Sequence, residues 1–270
     1  MVGTPLCNPG DLSPRAKQCL ELADVVLAED TRRARLAAGR WGVTLSRLVS
    51  FNDHNEGGKL DQVLDRLRRG ENLALITDAG MPAISDPGFL LVRTCREAGL
   101  PVSVVPGPSA PLAALAGSGI APQPFTFLGF LPRKDGEISK TVAPFATVQT
   151  TLIFFERKDR LEGSLRVLRE RLGPRQVCVA RELTKIHEEF LLFRLDAPPD
   201  LSSVLGEVTV VIGPPEQKIR SGEETARVIL QEEFALGGSA KQIAKRTLPR
   251  LTGWTGSEIY SMLLKLGCQP

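Results

Sequence analysis

The chain has 270 residues, 42% of them hydrophobic and 24% charged, which is typical of a folded protein with one or two domains. A net charge of +3 excludes a general nucleic-acid coat, so any contact with RNA must come from a local patch. The five cysteines show no C-x-x-C spacing and there are only two histidines, which favours a reducing cytoplasm and argues against a metal site. The sequence also lacks a signal-peptide pattern and an apolar run of roughly 18 residues, so we expect no membrane partner.

The first part of the chain alternates short apolar strands with helices. A helix is expected to begin after Ser13, a good N-cap that is followed by Pro14. Strands are predicted at 25–28, 48–51, 73–76 and 102–105, and further helices at 60–70, 89–98 and 110–117. Met1, Val2 and Gly3 leave almost no room for a first strand. This alternation predicts an α/β domain with a parallel, doubly wound sheet over residues 1–119.

A second alternating region follows a linker at 118–124. Its predicted strands are 125–130, 151–155, 176–180, 189–195 and 207–212, with a helix over 161–172 and a turn or short helix at 196–205. The adjacent last strands indicate a partly antiparallel sheet in an α/β domain of residues 120–216. Residues 217–270 are expected to form a small helical tail with Thr255 and Glu258 in a capping box. Its basic residues are Lys241, Lys245, Arg246 and Arg250.

Four loops follow predicted strands of the first domain, at 29–32, 52–56, 77–88 and 106–110. The carboxyl ends of parallel strands lie on one edge of a sheet, so we expect these loops to converge on a ligand cleft that the second domain closes. The loop at 77–88 is the clearest candidate, since Gly80 and Gly88 allow backbone to approach a ligand closely. Asp86 in this loop either braces it or contacts substrate. No dinucleotide, P-loop or serine-hydrolase motif is present.

Ordinary structural roles compete with these functional interpretations. Asp78 can bind an amine or hydroxyls of a ligand, or it can cap its loop. The acids at 29–32 can cap a helix. The basic runs at 133–134 and 157–160 suit a phosphate backbone if they lie beside the cleft, and are otherwise solvated faces. Lys185 can pair with the acids that follow it. The sequence alone leaves each of these assignments open.

Six short motifs occur in a fixed order along the chain, at residues 29–32, 54–56, 77–88, 105–110, 129–134 and 181–185. Together they resemble the signature of the small-subunit ribosomal RNA methyltransferase I family, a branch of the tetrapyrrole (corrin/porphyrin) methylases. The resemblance spans roughly residues 3–265. It departs from the family at Cys7 and Pro9, in a loop that is usually Pro-x-Gly-Asn-x-Gly-Asp. It also departs at 157–159, where the family usually has Ser-Pro-His.

The resemblance implies that S-adenosylmethionine binds between the two α/β domains of the chain. It also implies that the protein is a homodimer. It further implies 2′-O-methylation of a cytidine ribose in the decoding centre of 16S rRNA, within the small ribosomal subunit. The implied cofactor-binding residues are Pro5, Asp78, Ala79, Gly80, Met81, Ser109 and Ala110, joined by residues near Glu156 and Leu183 of the second domain.

A ribose hydroxyl is a poor nucleophile, so a nearby base and a cation should assist methyl transfer. Our hypothesis is that Asp30 or Glu182 accepts the proton and that Arg32 or Lys185 steadies the alkoxide or a phosphate. Two alternatives stay open: a tetrapyrrole methyltransferase with the same fold, and a non-catalytic ligand- or RNA-binding protein. The arginine-rich segment 32–47 and the basic tail favour RNA as the substrate.

Overall fold

The computed structural model describes residues 1–202, 204, 206–216 and 220–265. The strands are β1 (Val25–Ala28), β2 (Arg47–Ser50), β3 (Leu73–Ile76), β4 (Phe125–Phe130), β5 (Thr151–Arg157), β6 (Gln176–Arg181), β7 (Glu189–Arg194) and β8 (Glu207–Ile212). The helices are α1 (Pro14–Leu22), α2 (Thr31–Trp41), α3 (Glu56–Arg68), α4 (Phe89–Glu97), α5 (Ala110–Gly117), α6 (Asp135–Val142), α7 (Lys158–Leu172), α8 (Glu223–Ala235), α9 (Ala240–Thr247) and α10 (Gly256–Lys265). Parts of the predicted turn at 196–205, both ends of the predicted tail and Cys268 lie outside the described residues.

The first sheet is parallel, with strand order β2-β1-β3. Side chains of β1 alternate between two cores: Val26 packs under α1 and α2, while Val25 packs under α3 and α4. Both faces of the sheet are therefore covered, as parallel strands require. Together with the mixed second sheet and the cleft described below, this architecture confirms the predicted α/β fold class.

The predicted strand at 102–105 is wrong, because this segment makes only a single bridge, between Val2 and Val105. Val105 N donates to the Met1 carbonyl and Gly3 N donates to the Val105 carbonyl, both at 2.9 Å. On its other side, Val2 N donates to the Leu75 carbonyl of β3. The segment lies extended at the sheet edge, but the short N-terminal segment beside it offers too few residues for a ladder.

The second sheet has strand order β4-β5-β8-β6-β7. Only β4 and β5 pair in parallel, and the remaining neighbours are antiparallel, which confirms the predicted mixed sheet. One face is covered by α6 and α7, and α6 was not predicted from the sequence. The other face is covered by α5, whose Ala114 and Leu115 pack against Ile153 and Val211. Helix α5 thus links the two sheets.

The described part of the tail, α8 to α10, packs around its own core, which includes Trp254 and Ile259. The capping box is present: Thr255 N donates to Glu258 Oε2 at 2.8 Å, and Glu258 N donates to Thr255 Oγ1 at 3.3 Å. We keep as a proposal the division of the chain into two domains, residues 1–119 and 120–216, and a tail of residues 217–270. No helix of the described residues is long and apolar enough to cross a membrane.

Candidate active site

A cleft of about 680 Å³ lies between the carboxyl edge of the first sheet and the second sheet. The loops after β1 and β3 line it, together with the start of α5, the ends of β4 and β5, and residues 180–185 and 206–209. The loop at 52–56 lies beside it, since Asp53 is close enough to raise the pKa of Glu29. Three of the four loops thus converge on the cleft, whose volume falls within the range of small-molecule sites.

The loop at 77–88 is held in an unusual backbone conformation. Gly80 has φ +84° and exchanges backbone hydrogen bonds with Thr4, with N–O distances of 2.9 and 3.1 Å. Ala83 and Ser85 also have positive φ, 71° and 63°, although neither is glycine. Such conformations cost energy and concentrate at ligand-binding and catalytic sites. The local geometry therefore supports a ligand-binding role for this loop.

Asp30 and Arg32 do not line the cleft. Asp30 caps α2: its Oδ1 accepts hydrogen bonds from the backbone N–H of Arg32 at 2.8 Å and of Arg33 at 3.3 Å. The Arg32 side chain also donates to this carboxylate, and these hydrogen bonds lower the pKa of Asp30 to about 2. A carboxylate with so low a pKa is a weak proton acceptor at neutral pH. The capping role considered for 29–32 is the one that the structure supports for Asp30.

Glu29, Asp78 and Asp86 form the acidic side of the cleft. Burial, with a smaller contribution from the negative charges of Glu29 and Asp78, raises the pKa of Asp86 to about 6. Burial and the charge of Asp78 also raise the pKa of Glu29. Arg33 Nη1 donates to Asp78 Oδ2 at 2.7 Å, so within the described part of the chain Asp78 is the member of this group that forms an ion pair. With a pKa of about 6, Asp86 can gain or lose a proton near physiological pH.

The loop after β6 forms the opposite wall. Glu182 and Thr184 have positive φ, 51° and 65°, which is unusual for non-glycine residues. Lys185 Nζ donates to Glu182 Oε1 at 2.8 Å, and this contact raises the pKa of Lys185. The predicted pairing of Lys185 with the acids beyond it is replaced by this contact, since Glu188 accepts from Thr184 N and Glu189 pairs with Arg181. Two of the four proposed catalytic residues, Glu182 and Lys185, thus lie together in the cleft.

Most of the residues expected to bind the cofactor line the cleft: Asp78, Ala79, Gly80, Met81, Ser109, Ala110 and Leu183. Pro5 is buried and does not line it, although the next residue, Leu6, does. Glu156 is fully buried and accepts hydrogen bonds from Ser164 Oγ at 2.6 Å and from Arg157 N at 2.9 Å. Successive strand residues face opposite sides, so its neighbour Phe155 lines the cleft instead.

Several cleft residues were not singled out as site residues from the sequence: Glu29, Arg33, Thr77, Phe130, Phe155 and Glu207. Glu29, Thr77 and Phe130 belong to three of the six motifs, and Arg33 directly follows the motif at 29–32, so the motifs already pointed to these residues. Phe130 and Phe155 are register partners on β4 and β5 with ring centroids 5.2 Å apart. Glu207 enters the site because β8 runs antiparallel to β5, a pairing that the local sequence does not reveal.

The composition of the cleft suits a cation with an apolar part. Five carboxyl groups line it, from Glu29, Asp78, Asp86, Glu182 and Glu207, against two cationic side chains, Arg33 and Lys185. Among the described residues, buried Thr77 Oγ1 has no partner within good hydrogen-bond geometry, but it lies near enough to the Asp86 carboxyl group to oppose the rise in the pKa of Asp86. The rings of Phe130 and Phe155 provide an apolar wall. Within the described ranges, no cluster of three or more metal-ligating side chains occurs.

The cleft lies between a parallel sheet and a mixed sheet, an α/β arrangement whose family the comparisons with known proteins identify. The family model for tetrapyrrole (corrin/porphyrin) methylases matches residues 1–198. Ribosomal RNA small subunit methyltransferase I of Mesorhizobium japonicum is 38% identical over 273 residues, covering 98% of this chain and 91% of that protein. The protein of the same name from Thermotoga maritima is 40% identical over 217 residues, covering 78% and 96%.

Solved structures share the fold. The methyltransferase CobJ aligns with a TM-score of 0.62 at 20% identity, over 79% of this chain and 92% of that one. Diphthine synthase aligns with a TM-score of 0.60 at 14% identity, over 79% and 90%. The chain belongs to the tetrapyrrole methylase family, on the branch of the small-subunit ribosomal RNA methyltransferase I proteins, and it is a methyltransferase.

Proposed function

We propose that the protein transfers a methyl group from S-adenosylmethionine to the 2′-hydroxyl of a cytidine ribose in the decoding centre of 16S rRNA. The observation that carries the proposal is identity of 38% to a ribosomal RNA small subunit methyltransferase over 98% of this chain. The resemblance of the six motifs supports the 2′-hydroxyl as the methylated group and cytidine as the nucleotide. We also propose that the enzyme works as a cytoplasmic homodimer on the small ribosomal subunit.

The cofactor is proposed to lie along Asp78, Ala79, Gly80 and Met81, with Ser109, Ala110 and Leu183 completing its site. When bound, it supplies an electrophilic methyl group on a positively charged sulfur. The excess of carboxyl groups in the cleft favours that charge, and Phe155 provides apolar contact. Pro5 and Glu156 are assigned indirect roles: Pro5 positions Leu6, and Glu156 holds the end of β5 so that Phe155 faces the cleft.

The proton of the ribose hydroxyl needs an acceptor in the cleft. Asp86 and Glu182 are the proposed candidates, and Asp86 is favoured because its pKa of about 6 suits proton transfer near neutral pH. Lys185, held by Glu182, is proposed to steady the developing alkoxide of the ribose. For Asp30 and Arg32 we propose a positioning role, in which they fix the start of α2 and thereby Arg33, the partner of Asp78.

The direct test offers labelled S-adenosylmethionine and the purified protein either with small ribosomal subunits or with a porphyrinogen. We expect label in 16S rRNA and none in the macrocycle. Label in the macrocycle alone would support the tetrapyrrole alternative. Calorimetry with the cofactor addresses the non-catalytic alternative, because a protein that fails to bind S-adenosylmethionine cannot use it.

A further inference from the structure

A second cavity, of about 500 Å³, lies directly beside the cleft. We call it the arginine groove; residues 130–133, Arg157, Asp159 and Arg160 line it. Phe130 lines both cavities, and Arg157 is the register partner of Glu207, which lines the cleft. The groove therefore continues the cleft past the carboxyl ends of β4 and β5.

The floor of the groove is fixed by Arg160. Its guanidinium donates to the Leu131 carbonyl at 3.3 Å and to the Pro132 carbonyl, and it pairs with Glu156 at 3.4 Å. Glu156 is fully buried, so this pair is a structural one that balances the charge of Arg160. The contacts join the segment after β4 to the start of α7 and so fix the base of the groove.

The other two guanidinium groups are available for an anion. Arg133 is exposed and makes no ion pair within the part of the chain that the structure describes. Arg157 pairs with Asp159 at 3.3 Å, but both side chains are more than half exposed, and an exposed pair contributes little. Helix α7 begins beside them at Lys158 with no side-chain cap, so its N-terminus adds a favourable field for negative charge.

The charge of the two cavities differs in sign. Five carboxyl groups against two cations make the cleft unfavourable for a phosphate, whereas RNA carries one negative charge per nucleotide. A strand that places one ribose in the cleft must therefore direct its backbone away from the carboxylates. The arginine groove is adjacent and cationic, and the Phe130 ring at the junction is 47% exposed, which suits stacking of a base.

We propose that the arginine groove binds the phosphodiester of a nucleotide that neighbours the methylated ribose, with Arg133 and Arg157 as its ligands. This inference rests on the proposed action on RNA and defines the path of the strand away from the site. Asp159 limits the affinity, because it competes with the phosphate for Arg157.

Three variants test the inference through binding of a fluorescently labelled, cytidine-containing RNA oligonucleotide, measured by anisotropy over a salt series. Arg133→Ala combined with Arg157→Ala should weaken binding about tenfold and make the salt dependence shallower by about one to two counterions. Asp159→Asn should tighten binding about threefold, a gain that misfolding cannot produce. Arg169→Ala is the matched control, because it removes an exposed arginine near the other end of the same helix.

Calorimetry with S-adenosylmethionine should give the same affinity for all of these variants as for the wild type. The inference is overturned if the double variant binds RNA as tightly as the wild type does, or if Arg169→Ala weakens binding as much as the double variant does. It is also overturned if Asp159→Asn binds RNA no tighter than the wild type. Failure of the proposed function looks different: the wild type would bind RNA in the groove but leave 16S rRNA unmethylated. If the wild type bound no RNA, both this inference and the proposed function would be contradicted.

Discussion

The backbone N–H of Cys7 donates a hydrogen bond to Thr184 Oγ1 at 3.1 Å, and so joins the N-terminal loop to the loop after β6 across the cleft. Asn8 N donates to the same oxygen at 3.2 Å. Thr184 holds this position with a φ of +65°, a conformation that a β-branched residue rarely adopts. One hydroxyl thus holds two walls of the proposed cofactor site together, although Cys7 stands where the family usually has glycine.

Thr184→Val should open this contact while keeping the shape and branching of the side chain. We expect a loss of about 1 kcal/mol in the free energy of unfolding and severalfold weaker binding of S-adenosylmethionine, measured by thermal unfolding and calorimetry. Thr184→Ser retains the oxygen and should behave as the wild type or better. Equal cofactor affinity in all three proteins would show that the contact does not shape the site.

Asp86 should give activity a characteristic pH dependence. A proton acceptor works in its ionised form, so turnover should rise with pH through a midpoint at about 6, and Asp86→Asn should lose most of its activity while still binding cofactor. Initial rates between pH 5 and about pH 8 provide the measurement. A profile that keeps its midpoint in Asp86→Asn would assign the proton to another group, with Glu182→Gln as the next variant to examine.

The raised pKa of Asp86 also predicts how the stability of the fold depends on pH. Activity should rise with pH, whereas the contribution of Asp86 to stability should fall. The pKa of Asp86 is raised from 3.8 to about 6 in the folded protein, so folding favours the protonated form. Its contribution to stability is complete below about pH 4 and is lost as pH rises through 6. Asp86→Asn should therefore raise the melting temperature relative to the wild type at about pH 7.5, with the difference shrinking toward pH 4. A constant difference at both pH values would contradict this.

Asp30 and Asp78 should respond differently to removal of their carboxylates. Asp30→Ala deletes the N-cap of α2, the helix that carries Arg33, and should lower the melting temperature by about 2–4 °C while weakening cofactor binding far less than a change at Asp78 does. Asp78→Ala removes a cleft carboxylate and the partner of Arg33, and should weaken cofactor binding about tenfold or more. Asp61→Ala, on the exposed side of α3, is the control for both. If Asp30→Ala lost cofactor binding altogether, Asp30 would have to be reassigned as a residue that contacts the cofactor.

Glu156 should prove structural. Glu156→Ala removes the acceptor for Ser164 and Arg157 and leaves Arg160 unpaired, so we expect a loss of about 2–3 kcal/mol in the free energy of unfolding. At a temperature where the variant is folded, its affinity for S-adenosylmethionine should remain within severalfold of the wild type. A selective loss of cofactor binding with unchanged stability would support direct contact, as the family resemblance first implied.

Most of the fold could be predicted from the sequence, because caps and periodicity are local properties. Ser13 accepts from Ala16 N as an N-cap should, and Gly70 follows α3 with φ +84°. The exceptions have identifiable physical reasons. Residues 102–105 have strand composition but lack a partner of sufficient length, and Ile138 and Val142 of α6 are too few to display a helical period.

The site was predicted in part, since motif order located the loops but not the direction of each side chain. Glu156 and Phe155 are adjacent in sequence, yet only Phe155 faces the cleft, because the strand alternates. The roles of Asp30 and Asp86 depend on burial and on neighbouring charges, which three-dimensional packing sets. Glu207 joins the acids of the cleft through the tertiary pairing of β8 with β5, and Arg133 and Arg157 line one groove because β4 pairs with β5.

The central claim is that this protein methylates one ribose of 16S rRNA, and mapping of ribose methylation tests it most directly. Ribosomal RNA from cells that lack the protein is compared with RNA from the same cells after its restoration, and with RNA after restoration of the Asp86→Asn variant. We expect one 2′-O-methylcytidine in the decoding region that disappears with the protein and returns only with the active enzyme. An unchanged methylation map in the deleted cells would contradict the account.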